Sequence, residues 1–389
     1  MGNITVSRLE QSKSGAPSRN YQIDALKMLL TILVFICHSY GFLPSGTNDI
    51  IIGKLYSFGW MSVQIFFMIS GFLMVKSILK RNYDKKHAGK DAMGFVIGKF
   101  KAIALPFWIS NAMFAFMLIA YYIYTNTVSF QNILGEHFKS PLHFIINLIP
   151  EAFCITNVGG IYFIWNNSIN WYICVMLFVM IPISYFLITK RDSFIHIFSP
   201  AAAILLLGYI KESTTDFLQD ESSWFLLIRA VCGLCFGIIA WTIYNKLISL
   251  ENSKFLCTCL TIIETILYLI FFLLLLTKGN EANLMFPIIL LMPIAIAITF
   301  SERSYLSKLF NSKIFKHFGT ISLYIYLNHW AAVSVVRALF SGKSYWLCIS
   351  AAAVLTAVLC IACNIGVRII RFIIKKIKKR IKQEKVEDV

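Results

Sequence analysis

Ten apolar stretches, most of them about twenty residues long, recur along this chain, at roughly 23–43, 58–79, 102–125, 170–189, 194–210, 224–245, 255–277, 283–300, 317–340 and 345–367. A helix rises about 1.5 Å per residue, so some twenty apolar residues cross the ~30 Å hydrocarbon layer of a bilayer with each backbone group satisfied internally. The pattern predicts an all-α fold, a polytopic transmembrane bundle of about ten helices with no soluble domain of its own. Composition follows from that. The chain is 58% hydrophobic and 14% charged, and it carries 33 Phe and 17 Tyr against 9 Pro, as suits long helices with aromatic residues at both interfaces.

A net charge of +17 would suit nucleic acid if the cations were clustered on one face. They fall instead in the hydrophilic gaps. Of the 36 Lys and Arg, 27 lie on the side that holds both termini and five on the other. That asymmetry predicts both termini in the cytoplasm and membrane lipid, with no nucleic acid, as the partner. The first apolar run continues for a full span without a small-residue cleavage site, so it reads as a retained helix rather than a signal peptide. The expected organisation is a cytoplasmic segment at 1–22, a transmembrane domain at 23–367 and a basic cytoplasmic tail at 368–389. In that tail Ile370, Ile373, Ile374, Ile377 and Ile381 recur at helical spacing among lysines. Such a pattern fits either an interfacial helix on anionic lipid or a solvated basic tail.

The connection at 126–169 is much longer than the others. It carries the apolar stretch HFIINLIPEAFCI, too short to span and suited to a re-entrant or interfacial position. The ten cysteines lie nearly all within apolar runs and read as packing residues. Cys232/Cys235 and Cys360/Cys363 have redox spacing but no His or carboxylate beside them to complete a metal site, so no metal is expected.

Ionisable groups inside spans are costly, which makes them functional candidates with structural pairing as the alternative. The first span holds Asp24, Lys27 and His38. Eleven residues separate Lys27 from His38, which at about 100° per residue puts both on one stripe of the helix, some 16 Å apart along its axis. A cation at the cytoplasmic mouth with an imidazole deep on the same face suits a long anionic donor such as acyl-coenzyme A, its phosphates at Lys27 and its reactive end near His38 as general base. Alternatively Lys27 snorkels beside Asp24 and His38 is a packing residue. His329 lies at a similar depth in its own span and is a second cavity candidate. Arg229 and Arg337 stand near outer helix ends, to meet a glycan or to snorkel, and Glu264 has no local partner.

Several segments resemble, in order, the acyltransferase 3 family of integral membrane acyltransferases. RNYQIDALKMLLTILVFICH looks like the family's first helix, where an Arg, ten further residues and a His form the signature, with an Asp three residues before the Arg. Asp24 and His38 match, and Lys27 stands in place of the Arg. FFMISGFLM, KFKAIALPFW, NWYICVMLFVMIP and GTISLYIYLNHW resemble four later motifs, with Lys99 and Lys101 where the family tends to use Arg. The resemblance covers nearly the whole chain. It implies transfer of an acyl group, usually acetyl, from cytoplasmic acyl-CoA (acetyl-CoA) to a hydroxyl of an extracytoplasmic glycan or lipid-linked saccharide acceptor, in a bacterial inner or plasma membrane. By that resemblance His38 is catalytic. Lys27, Lys99 and Lys101 bind the donor, and Asp24, Ser70, Trp171, Tyr172, Asn328 and His329 line the substrate cavity. The rival reading is a transporter or flippase of a glycan or lipid-linked precursor. It predicts internal repeats and paired Gly/Pro-broken helices, and neither is found.

Overall fold

A computed structural model describes residues 20–43, 50–125, 146, 149–156, 167–213, 218, 222–278, 282–310 and 312–387. Among these residues there is no strand, and ten helices of 15 residues or more follow one another. They are α1 (Tyr21–Ser39), α2 (Ile50–Ile78), α3 (Ala88–Thr125), α4 (Trp171–Thr189), α5 (Ser199–Ser213), α6 (Ser223–Ser249), α7 (Lys254–Lys278), α8 (Ala282–Ser301), α9 (Phe318–Leu339) and α10 (Tyr345–Glu387). A short turn of helix, Arg191–Ser193, and a π-helical turn, Phe194–Phe198, lead into α5.

Eight of the described helical segments are long and apolar enough to cross a membrane. The expectation of about ten counts two more. One is α8, whose described apolar stretch is only Met285–Ser301. The other is α9, long enough at 22 residues but carrying Ser322, Tyr324, Tyr326, Asn328 and His329 in its middle. Those polar groups lower its hydropathy, and they are buried inside the protein rather than offered to lipid.

Local chemistry sets where the chain enters and leaves the bundle. Asn20 caps α1 by accepting from Ile23 N–H at 3.0 Å, while its own Nδ2 donates to the carbonyl of Thr299 at 2.9 Å. The start of α1 is thereby tied to the end of α8. Gln22 Nε2 then donates to Glu264 Oε1 at 2.8 Å, and Thr299 Oγ1 donates to the same oxygen at 2.5 Å. Glu264, which has no partner near it in sequence, thus takes donors from α1 and α8 on one carboxylate oxygen. Arg303 closes the same end by donating to the carbonyls of Leu247, Ile248 and Leu250 at the end of α6.

Helices α2 and α6 form the centre. They approach so closely that a Cβ on Gly71 would run into the backbone of Leu234, and one on Gly237 into the carbonyl of Met68 and the amide of Phe72. With lipid outside, association rests on such small-residue packing rather than on exclusion of water. One apolar core gathers α2, α4 and the start of α3 around Phe67, Met74, Phe95 and Ile173, and a second gathers α1, the other face of α2, α5, α6 and α8 around Leu30, Met61, Phe236 and Ile289. Gly237→Ala is expected to destabilise the bundle by about 1–3 kcal/mol, because the new methyl meets backbone that cannot swing aside. Thermal unfolding in detergent checks it, and an unchanged midpoint would show that α2 and α6 part more easily than their packing indicates.

All ten cysteines are free, and Cys232 and Cys235 are enclosed between helices. Helix α10 runs unbroken from Tyr345 to Glu387, so no break separates the last apolar run from the basic tail at 368. Most of the long connection, and all of 1–19, fall outside the described residues.

Candidate active site

The packing of α9 against α1 brings two histidines together. His38, half-buried near the end of α1, has its ring 5.2 Å from the ring of His329 and 5.0 Å from that of Trp330, which meets it edge-on. His329 is fully buried. Its Nδ1 faces two backbone carbonyls, Tyr326 at 2.8 Å and Ile325 at 3.1 Å. Carbonyls only accept, so Nδ1 carries the hydrogen and the neutral ring presents a bare lone pair at Nε2. That nitrogen has no hydrogen-bond partner among the described residues. The backbone of α9 thus fixes the tautomer and leaves a proton acceptor in the interior beside His38.

Aromatic rings extend from this pair toward α4. Tyr326 lies 5.9 Å from His329 and 5.8 Å from Tyr172, ring to ring, and Tyr172 shares a 3.1 Å hydrogen bond with Ser70. Ser70, Tyr172, Tyr326, His329 and His38 therefore form one connected group. Trp171 takes another part. It faces Arg229 at 5.2 Å, with Trp60 on the same guanidinium at 5.4 Å, and Arg229 Nη2 donates to the Trp60 carbonyl at 3.2 Å. Arg229 is completely buried, so it neither snorkels nor reaches outward. Two indoles from α2 and α4 close over it, and cation–π attraction compensates part of the lost hydration. Arg337 lies across Gly41, where any side chain would collide with its guanidinium.

Asn328 is held at both ends of its amide. Its Nδ2 donates to the Tyr324 carbonyl at 2.8 Å and its Oδ1 accepts from Ser110 at 3.0 Å, so both ends of the amide hold α9 together and against α3. Asp24, buried, and Lys27, half-buried, lie toward the other end of α1 from His38. Lys99 sits over the ring of Phe95 at 5.4 Å and Lys101 is exposed, both in the first half of α3. The structure does not bring these four residues to the histidine pair.

A buried carboxylate that sequence reasoning did not single out stands next to the group. Glu151 Oε1 accepts from Asn170 Nδ2 at 2.5 Å and from Asn167 N–H at 3.1 Å. Asn111 Oδ1 accepts from Asn170 Nδ2 at 3.0 Å and from Asn167 Nδ2 at 3.3 Å. Asn167 Nδ2 is also 3.4 Å from the Leu327 carbonyl, and the Tyr326 hydroxyl donates to the Ile169 carbonyl at 2.8 Å. All four side chains are buried. The signal was a lone acid inside an apolar stretch, HFIINLIPEAFCI, where a charged group needs donors from elsewhere in the fold. Among the described residues no group of three His, Cys, Asp or Glu forms a metal-binding cluster.

No curated protein and no solved structure matches the chain. The family model for an acyltransferase domain, acyltransferase 3, does match, over residues 20–365. That range contains α1 to α9 and α10 as far as residue 365, and with them both histidines and the five motifs. The chain belongs to the acyltransferase 3 family and is a membrane acyltransferase.

Proposed function

We propose that this protein transfers an acyl group, acetyl in the simplest case, from acyl-CoA in the cytoplasm to a hydroxyl of a glycan or lipid-linked saccharide on the far side of the membrane. The observation that carries the reading is the histidine pair, His38 with His329 behind it, held in the interior by α1 and α9. A thioester is already activated, so the protein has to bring the acceptor hydroxyl to it and take up a proton. His38 removes the hydroxyl proton as the oxygen attacks the thioester carbonyl. The tetrahedral intermediate collapses with loss of the CoA thiolate, which leaves with that proton. The Nε2 lone pair of His329, open toward His38, is assigned the part of taking a hydrogen bond from the His38 ring in the reacting state, which turns the other ring nitrogen to the substrate.

The side of the bundle rich in cations is the cytoplasmic side, with both termini there, in keeping with the excess of 27 basic residues over five. Lys27, Lys99 and Lys101 lie toward that side and bind the donor's phosphates. Asp24 orients Lys27 from one turn away, while Ser70, Trp171 and Tyr172 border the acceptor's end of the cavity. Asn328, held between α3 and α9, lines the cavity from the α9 side. The test is made in proteoliposomes with labelled acetyl-CoA and a lipid-linked saccharide, together with ester analysis of surface glycans from cells lacking the gene. Label on a saccharide hydroxyl and loss of base-labile esters are expected. Unchanged ester content and no transfer would overturn the proposal.

Lys27 offers a narrower check. Losing a charge-assisted contact to phosphate in a partly desolvated place costs about 1.5–3 kcal/mol, or roughly tenfold to more than hundredfold in affinity. Lys27→Ala should weaken donor binding by that factor, and Lys27→Arg, which keeps the charge, should stay active. Equal donor affinity in all three proteins would leave Lys27 a snorkelling residue.

A further inference from the structure

At the end of the bundle where α1 begins, two cavities meet. The first, of 490 Å³, opens between the chain leaving α2 and the chain leaving α4. Its walls include four cations, Arg81, Lys85, Lys190 and Arg191, against one carboxylate, Asp192. All four cations are exposed, and Arg81 Nη1 donates to the Tyr83 hydroxyl at 3.2 Å, which orients its guanidinium. Lys99 lies within electrostatic reach of Arg81. Like charges gathered around a hollow repel one another, and a phosphate placed among them removes that repulsion and gains several charge-assisted bonds.

The second cavity, of 800 Å³, lies between α4, the π-helical turn, α5 and α6. Phe178, Phe186, Phe194, Phe198 and Leu227 line it, and it shares Lys190 and Ser193 with the first. The π turn widens the backbone where the two meet, and the rings of Phe186 and Phe194 stack there at 5.6 Å and 8°. Phe198 is 59% exposed and Phe178 50%, so this wall is apolar and uncovered by protein. A cationic hollow at the membrane surface that continues into an apolar cleft has the two-part character of a lipid with a phosphate head. A soluble nucleotide would use the first cavity and leave the second unexplained. None of the residues around His38 and His329 lines either cavity.

We infer that the joined cavities bind one anionic phospholipid, its phosphate among Arg81, Lys190 and Arg191 and an acyl chain along the phenylalanines of the cleft. Basic pockets between helices on the cytoplasmic side hold such headgroups, and the chain adds burial that a free phosphate lacks. The site does not depend on the acyl-transfer reading. The test uses the purified full chain, delipidated in detergent and titrated with phosphatidylglycerol or phosphatidylcholine, with bound lipid read by native mass spectrometry. One phosphatidylglycerol should be retained in preference to phosphatidylcholine. The triple variant R81A/K190A/R191A, altered only at exposed positions, should bind phosphatidylglycerol about a hundredfold more weakly and lose the preference, as three cations near the surface imply. Ala202→Trp, which puts an indole into the cleft, should lower affinity for long-chain phosphatidylglycerol at least tenfold. Equal retention by wild type and triple variant would overturn the inference. So would lipid binding that ignores Ala202→Trp while coenzyme A competes for the cations, which would make the hollow a soluble-phosphate site.

Discussion

His38→Ala should lower the rate of acyl transfer by about 10²–10⁴-fold, the range a positioned general base supplies, while donor affinity and thermal stability stay near those of the wild type. The side chain is half-buried at the end of α1, so its removal leaves no large hole. His329→Ala should also lower the rate steeply, because His38 then loses the acceptor that orients it. His329→Gln restores an acceptor oxygen at about the reach of Nε2 and should recover part of the rate. The conservative variant separates the two possible roles of His329. If it only packs, both substitutions lower the unfolding midpoint and leave the rate of the folded protein unchanged. A His38→Ala protein that still transfers acetyl at the wild-type rate would remove the pair from the reaction.

The histidine pair was half legible in the sequence. Helix periodicity places Lys27 and His38 on one stripe, since that needs only the geometry of a single helix. The depth of His329 could be read in the same way. Their meeting could not, because it depends on α1 packing against α9. Helix formation itself was legible for a stronger reason: in lipid no other local structure satisfies the backbone, so apolar length alone decides it. The readings that changed are those in which the partner comes from far along the chain. Glu264 finds Gln22, 242 residues away. Arg229 looked like an outward-reaching cation and is enclosed by Trp60 and Trp171 from two other helices. Asn328, beside a catalytic candidate, meets Ser110 of α3, 218 residues away. Gly71 lay inside a motif whose backbone reason, close contact with α6, appears only once the helices are packed.

Glu151→Leu is the second substitution with a large expected effect, and it tests whether the long connection before α4 positions the histidines. The change leaves the buried Asn167 N–H without its acceptor and takes from the Asn170 amide one of its two, Asn111 Oδ1 remaining, at a cost of about 1–3 kcal/mol for the unsatisfied donor. A fall in unfolding temperature follows from that alone. The connection to α9 predicts more. Asn167 reaches the Leu327 carbonyl and Tyr326 holds the Ile169 carbonyl, so the segment 167–170 grips α9 two and three residues before His329. Loosening that grip lets the His329 ring drift relative to His38, and displacements of about 1 Å in a reacting group cost on the order of a hundredfold in rate. The folded fraction of Glu151→Leu should therefore show a kcat lowered by about that factor with donor affinity unchanged. Glu151→Gln, which keeps an acceptor oxygen for Asn170, should restore most of the kcat even if part of the stability stays lost. A Glu151→Leu protein that melts early but turns over at the wild-type rate per folded molecule would make the network structural only, and the alignment of the pair would then rest on the packing of α1 against α9 alone.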